Sequence, residues 1–433
     1  MKKKLIILFS LLFVVTFAII ILSSIKISEI SLNDLTLREK IGQMLMVYYN
    51  GDEIDDTLID SLKENQPGGF IITGANLNYY LKSKKFISGL NKYLKLDMII
   101  AVDQEGGPVQ RLYDISDKKA TFIPNMHDVG VLNNKDISYK IGNIIGSEAG
   151  SIGCNAVFGP VLDIGDYNIS AMGKRLISDD KDIVISNGME IFKGIEDTGL
   201  ISIVKHFPGI GSTSDDTHDN EISIVNKTYD ELYNADLQPF ITAINNNVSM
   251  IMIGHSSYPK ITGDDLPASL SSKIISDILR TKLGYDGVVI IDAVNMGTLA
   301  SNYSEKYIYT TAINAGVDIF IMPNGSKRVI DLIENEVKNG NISEETINKA
   351  VSRILKLKKE RLNKRLSNDK YGLKENKKFI CDNFNDYCSY NRQWSFLTSL
   401  FKCKVIVKLI SIYVNIIYNL YKENYIYVWN SRL

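Results

Sequence analysis

The sequence predicts an α/β architecture: a (β/α)8 TIM barrel, with an N-terminal hydrophobic anchor before it and a short atypical C-terminal tail after it. Two observations carry this. Between residues 27 and 363, short apolar β-branched runs alternate with longer amphipathic stretches, and eight such runs occur. They are continuously apolar rather than alternating, which is how strands buried on both faces of a parallel sheet read. Eight strand–helix units in succession close into a barrel, with a doubly wound open sheet as the competing arrangement. The composition is that of a globular chain: 433 residues, 45% hydrophobic and 23% charged, with 49 basic and 50 acidic side chains and a formal net charge of -1. A near-neutral balance without a basic stripe argues against nucleic acid as a partner. Four unevenly placed cysteines, Cys154, Cys381, Cys388 and Cys403, do not form a disulfide framework.

In chain order, segment 1–26 comes first. Lys2, Lys3 and Lys4 precede an apolar run over 5–22, broken only by Ser10 and Thr16, which is at the short end of what spans a bilayer. This is an export signal or an anchor. No small-x-small cleavage site and no lipid-accepting cysteine follow it. The positive-inside rule keeps the lysines cytoplasmic and places the rest outside, membrane-anchored or secreted.

The strands are expected at 42–49, 68–73, 98–103, 156–163, 201–206, 248–255, 287–292 and 318–322. Helices fit between them, for example at 78–94, 136–150, 182–197, 229–244, 271–283 and 327–338, with a last barrel helix at 343–362. Barrel active sites are built from the carboxyl ends of the strands. Polar residues collect there: Asp103 to Glu105, Asp163, Lys205 with His206, His255 and Asp292. Of the remaining histidines, His127 and His218 fall in loops on the same side. A single one is explained well enough as a satisfied core or loop polar group; their joint placement on one face is not.

The richest segment runs from Lys205 through His206, Pro208 and Gly209 to Asp216 and His218, and stays without regular structure to about Lys227. Loops of that length in compact domains are usually functional. Asp216 and His218, two residues apart, can face the same way, so the carboxylate fixes the imidazole tautomer and leaves the other ring nitrogen for general acid or base work. Asp292 directly follows the apolar run 287–291, where a charge is costly unless used. The structural alternative there is a helix N-cap or a buried salt bridge.

These motifs together resemble glycoside hydrolase family 3, in its bacterial β-N-acetylhexosaminidase class. Lys-His-Phe-Pro-Gly from Lys205 with Asp-Thr-His from Asp216 resembles the family's acid/base loop. Asp-Gln-Glu-Gly-Gly from Asp103, followed by Arg111, resembles its sugar-binding loop, and the stretch from Gly287 to Met296 its nucleophile segment. Asp163, Arg175, His255 and the runs beginning at Pro267 and Ala315 match further family positions, and the similarity covers about 35–362. The resemblance implies a retaining enzyme without cofactor or metal that cleaves terminal N-acetylglucosamine from cell-wall, peptidoglycan-derived glycans. Asp292 would be the nucleophile and His218, oriented by Asp216, the acid/base. Asp103, Arg111, Arg175, Lys205 and His206 would bind the sugar. There are departures: Ile210 stands where a histidine is usual, Ser212 for an aspartate, Pro108 for an arginine and Ala293 for a second acid. They bear on loop rigidity and substrate affinity.

Other readings are a metal-dependent barrel hydrolase using His206, His218, His255 and Asp292, which lacks the His-x-His such barrels carry after strand 1, and a non-catalytic wall-binding protein. Within the family, β-glucosidase, xylosidase or phosphorylase activity stays open. Expected partners are the carbohydrate and, through the first segment, the membrane. The sequence does not specify an oligomeric state.

From Lys364 the composition changes. Twelve basic and five acidic residues give the tail +7, against -8 for the rest, and both tryptophans and three cysteines lie in it. The apolar, Tyr- and Asn-rich run 405–421 reads as a poorly structured end, or as a basic amphipathic segment on an anionic membrane surface. Supplying no barrel strand, the tail is expected to be dispensable.

Overall fold

Nine strands form one sheet in the computed structural model, which describes residues 30–214, 221–362 and 373–388. They are β1 (Leu45–Val47), β2 (Gly69–Ile72), β3 (Ile99–Gly106), β4 (Val109–Gln110), β5 (Ala156–Val161), β6 (Ile201–Phe207), β7 (Met250–Ile253), β8 (Val288–Ile291) and β9 (Ile319–Ile321). The order β2-β1-β9-β8-β7-β6-β5-β3 is parallel throughout, and a β2–β3 pairing with Gly69 opposite Ile99 closes it into the eight-stranded barrel. Only β4 is antiparallel; it folds back on the end of β3. All eight expected strands are present. Each is buried along nearly its whole length, as their continuous apolar character requires.

Register places the polar strand ends in one layer. Asp103 pairs with Phe158, Val161 with Lys205 and Phe207 with Ile253, and the Asp292 amide continues the ladder by donating to Ile253 O at 3.1 Å.

The helices form the outer ring and follow their local signals. Lys135–Ile152 begins at Asn134, whose side chain accepts from the Asp136 and Ile137 amides, and ends at Gly153 with φ 114°. It lies so close to Lys181–Glu196 that a Cβ on Gly142 would sit 2.1 Å from Ile191 O.

Two boundaries differ from the sequence expectation. Thr36 and Glu39 form a capping box that starts the helix Leu37–Gln43, so β1 begins only at Leu45 instead of residue 42. The stretch 229–244 breaks into Tyr229–Asn234 and Leu237–Asn245 at Ala235, because buried Asp236 turns in to pair with Lys227 Nζ at 2.6 Å.

The 1–26 segment and the 405–421 run lie outside the described residues. Among the described residues no helix is long and apolar enough to cross a membrane. In the tail, Leu373–Asn383 is a helix and Asn385–Tyr387 a short 3-10 turn, with Ile380 and Phe384 buried among core residues. The composition gave no sign of that packing.

Candidate active site

One cavity opens at the carboxyl ends of the strands. Asp103, Glu105, Val109, Arg111, Ala171, Met172, Arg175, Lys205, His206, Ile210, Thr213, Ser256 and Asp292 line it. Six of the eight residues expected to act on substrate, namely Asp103, Arg111, Arg175, Lys205, His206 and Asp292, therefore meet at one place. The other two, Asp216 and His218, lie outside the described residues.

Strand geometry explains the convergence. Asp103 and Glu105 are two apart at the end of β3 and share a face. Lys205, buried on β6, reaches both, with Nζ 2.9 Å from Asp103 Oδ1 and 2.6 Å from Glu105 Oε1. Arg175 clamps Glu105 with two bonds, Nε to Oε2 at 2.8 Å and Nη2 to Oε1 at 2.9 Å, the bidentate pairing that a guanidinium and a carboxylate favour. Burial raises the Glu105 carboxyl, but the two cations outweigh it and hold its pKa at about 2. Burial pushes Lys205 down, and Asp103 and Glu105 more than reverse this, leaving it above the usual lysine value. Glu105 and Lys205 are thereby held in their charged forms at the floor of the cavity.

His206 is oriented from behind. Its Nδ1 lies 2.7 Å from Asp163 Oδ2, so the carboxylate accepts the Nδ1 proton and Nε2 is left for the cavity. Asp163 also accepts from the His206 and Ile210 amides, fixing the start of the loop after β6. Farther along, the Thr213 and Ser223 hydroxyls bond at 2.7 Å, and Thr298 Oγ1 donates to Glu221 O at 3.2 Å. The chain before 215–220 is thus joined to the chain after it, and the latter is tied to the stretch that follows β8.

Asp292 lies at the mouth of β8, where Oδ1 accepts from the Ala293 amide at 2.7 Å. Burial raises its pKa, but His255, His206 and Lys205, together with that amide, pull it below the ordinary carboxylate value. His255, beside it, is pushed down by burial. Its Nε2–H donates to Ala293 O at 3.3 Å, and its Nδ1 lies 2.8 Å from the Ser269 hydroxyl, so both ring nitrogens are held by protein groups.

In the sequence Glu105 and Asp163 stand out as polar strand ends and as members of family motifs, but neither carries an individual role there. The Asp-x-Glu spacing was the available signal for Glu105, since residues two apart on a strand point the same way. Ile210 packs with Val161, Met172 and Leu176 into a small apolar cluster of its own on the cavity wall. Among the described residues no group of three or more His, Cys, Asp or Glu side chains is disposed to hold a metal ion.

The sequence profile described as "Glycosyl hydrolase family 3 N terminal domain" matches residues 36–357. The chain belongs to glycosyl hydrolase family 3. It is accordingly a glycoside hydrolase, and its barrel is the family's N-terminal domain. A β-hexosaminidase from Nitrosomonas eutropha is 30% identical over 295 residues, which is 67% of this chain and 83% of that protein. One from Haemophilus influenzae is 29% identical over 298 residues, 67% and 82% of the two chains. The solved structure of a glycoside hydrolase family 3 β-N-acetylglucosaminidase from Paenibacillus sp. superimposes with a TM-score of 0.75 at 31% identity, covering 81% of this chain and 68% of that one.

Proposed function

We propose that this family 3 chain is a retaining β-N-acetylhexosaminidase that removes terminal non-reducing N-acetylglucosamine from cell-wall glycans. The observation that carries the reading is the meeting of Asp103, Arg111, Arg175, Lys205, His206 and Asp292 on one cavity. Cations and carboxylates locked in fixed ionisation states suit sugar hydroxyls. Val109, Met172 and Ile210 on the same lining suit the methyl of an acetamido group. The β-hexosaminidase names of the relatives point the same way.

In the first half-reaction an Asp292 oxygen bonds to the anomeric carbon. The glycosidic C–O bond breaks and its electron pair goes to the leaving oxygen, which takes a proton from His218. In the second, His218 removes a proton from water, the water oxygen bonds to the anomeric carbon, and the ester bond to Asp292 breaks. Configuration is retained. A histidine held by Asp216 avoids placing a second carboxylate beside anionic Asp292. Segment 1–26, as signal or anchor, would place the barrel outside the membrane, within reach of wall fragments.

The test is hydrolysis of a chromogenic β-N-acetylglucosaminide beside the matching glucoside and xyloside, each with and without chelator and phosphate. A chelator-insensitive preference for the N-acetyl sugar, with retained configuration in the product, is expected. Preference for glucoside or xyloside would overturn the substrate assignment. Loss of activity with chelator would indicate a metal enzyme, and dependence on phosphate a phosphorylase. Glycan binding without turnover of any substrate would leave a wall-binding protein. A muropeptide panel then defines the aglycone.

A further inference from the structure

The tail segment Leu373–Tyr387 is built onto one part of the barrel, the stretch 111–128 that carries Arg111 and backs the two glycines after Glu105. Its contacts are specific. The Tyr387 hydroxyl donates to the Asp128 carboxylate and accepts from the Asn125 side-chain amide, which itself reaches Asp128 at 3.2 Å. The Tyr387 ring stacks on Phe122 with centroids 5.6 Å apart, and Phe122 meets Tyr113 edge-on at 4.8 Å, two residues from Arg111. Asn376 donates to buried Glu148, which also accepts from the Thr121 amide at 2.8 Å, and Lys377 Nζ donates to Lys118 O.

From Asn125 the contact runs straight to the sugar loop. A Cβ on Gly107 would lie 2.4 Å from Asn125 Oδ1, so the loop rests directly on that side chain. The Gly107 amide donates to Ile123 O at 3.0 Å, and Gln110 is bonded to Ile123 through both atoms of its amide. Burial and the Asp128 contact push the Tyr387 phenol up to about 12, so it stays a donor throughout the neutral range.

We propose that the C-terminal segment is an intramolecular brace for the substrate-binding wall, with Tyr387 as the positioning residue that fixes the Gly106–Arg111 loop through Asn125 and Phe122. It touches no substrate. It acts by holding the loop at Gly107 so that Arg111 stays where the sugar meets it, and it therefore governs binding more than the chemical step. The substrate side of this statement rests on the reading of Arg111 as a sugar ligand.

The experiment uses the full chain with Tyr387→Phe, which removes the hydroxyl bonds and keeps the ring, and with Tyr387→Ala, which removes both. Hydrogen exchange at residues 107–125 should quicken in Tyr387→Phe and quicken more in Tyr387→Ala, while exchange at β7 and β8 stays unchanged. KM for the chromogenic β-N-acetylglucosaminide should rise about 3- to 10-fold in Tyr387→Phe, the range expected for losing one or two hydrogen bonds, with kcat changed less than about twofold. Combined with Arg111→Ala, Tyr387→Phe should add little to KM, because both act on one contact. Unchanged exchange at 107–125 overturns the brace. A lower melting temperature with KM unchanged, or fully additive effects in the double variant, reduces Tyr387 to a structural contact. If the parent chain hydrolyses no N-acetyl substrate, the functional reading fails, and the exchange arm still decides whether the segment braces the loop.

Discussion

Two lysines, each buried in the barrel at opposite ends, separate the part of the molecule that works from the part that holds it together. At the carboxyl ends of the strands, Lys205 is held charged by Asp103 and Glu105 and faces a cavity. At the amino ends, Lys358 is bonded to a neutral amide, with Nζ 2.6 Å from Gln43 Oε1, and burial brings its pKa down to about 7. Nearby at that end, buried Asp318 is filled on all sides by Arg280 Nη2 at 2.7 Å, Arg353 Nη2 at 2.9 Å and the Val289 amide at 2.8 Å. The buried Asp318 and Lys358 at the amino-terminal end are bonded to other groups of the protein. Glu105 and Lys205 at the carboxyl-terminal end are fixed in charge while facing open space, an arrangement that costs stability and is useful only to a ligand.

The largest effect that tests this contrast is at Asp292. Asp292→Ala should lower turnover by more than about 10³-fold, since binding alone does not replace a covalent nucleophile, and should leave the melting temperature within a few degrees of the parent. Turnover above roughly a tenth of the parent would remove Asp292 from the mechanism.

His218→Ala comes next. A lost acid should slow cleavage by about 10²-fold or more for poor leaving groups and far less for nitrophenolate, which hardly needs a proton. Equal losses across leaving groups, with no covalent intermediate accumulating, would make His218 structural.

Asp318→Ala should do the reverse at the other end. Removing the anion leaves Arg280 and Arg353 without their carboxylate and the Val289 amide without its acceptor, so unfolding free energy should fall by about 3–5 kcal/mol, with KM and kcat of the remaining folded enzyme unchanged. A changed KM would mean that the two ends are coupled and that the division is wrong.

Much of this was legible in the sequence, for identifiable reasons. The eight strands show because parallel barrel strands are apolar on both faces and need no partner to be recognised. Asp292 and Lys205 show because a charge after such a run is conspicuous. Glu105 shows as a polar strand end but without a role, because its importance lies in Arg175, 70 positions away, and no local pattern reports an ion pair across that distance. The break at Ala235 has a different origin: Asp236 is turned inward by Lys227, nine residues away, while the helical periodicity runs on through it. The tail is the extreme case. Asn376, Ile380, Phe384 and Tyr387 follow no strong apolar stripe, and their partners lie as far as 262 residues back in the chain.

The smallest effect is the sharpest discriminator, because it concerns only the two lysines. In the unfolded chain Lys358 releases its proton near the ordinary lysine value of 10.5, and in the folded chain near 7, burial being the chief cause and Asp97 a partial counterweight. Between those values the unfolded state binds more protons, so the free energy of unfolding must rise with pH across that window. Lys205 has the opposite displacement. Its folded value is raised, so its stabilising contribution is fully present below 10.5 and adds no slope there. Comparing the parent with Lys358→Met at pH 7 and at about pH 9 cancels every group the two proteins share. The parent's melting temperature should climb relative to that of Lys358→Met as pH rises, and kcat/KM should match at both pH values, since Gln43 and Lys358 lie outside the cavity. A gap independent of pH would mean that Lys358 stays charged in the fold. The two ends of the barrel would then treat a buried lysine alike.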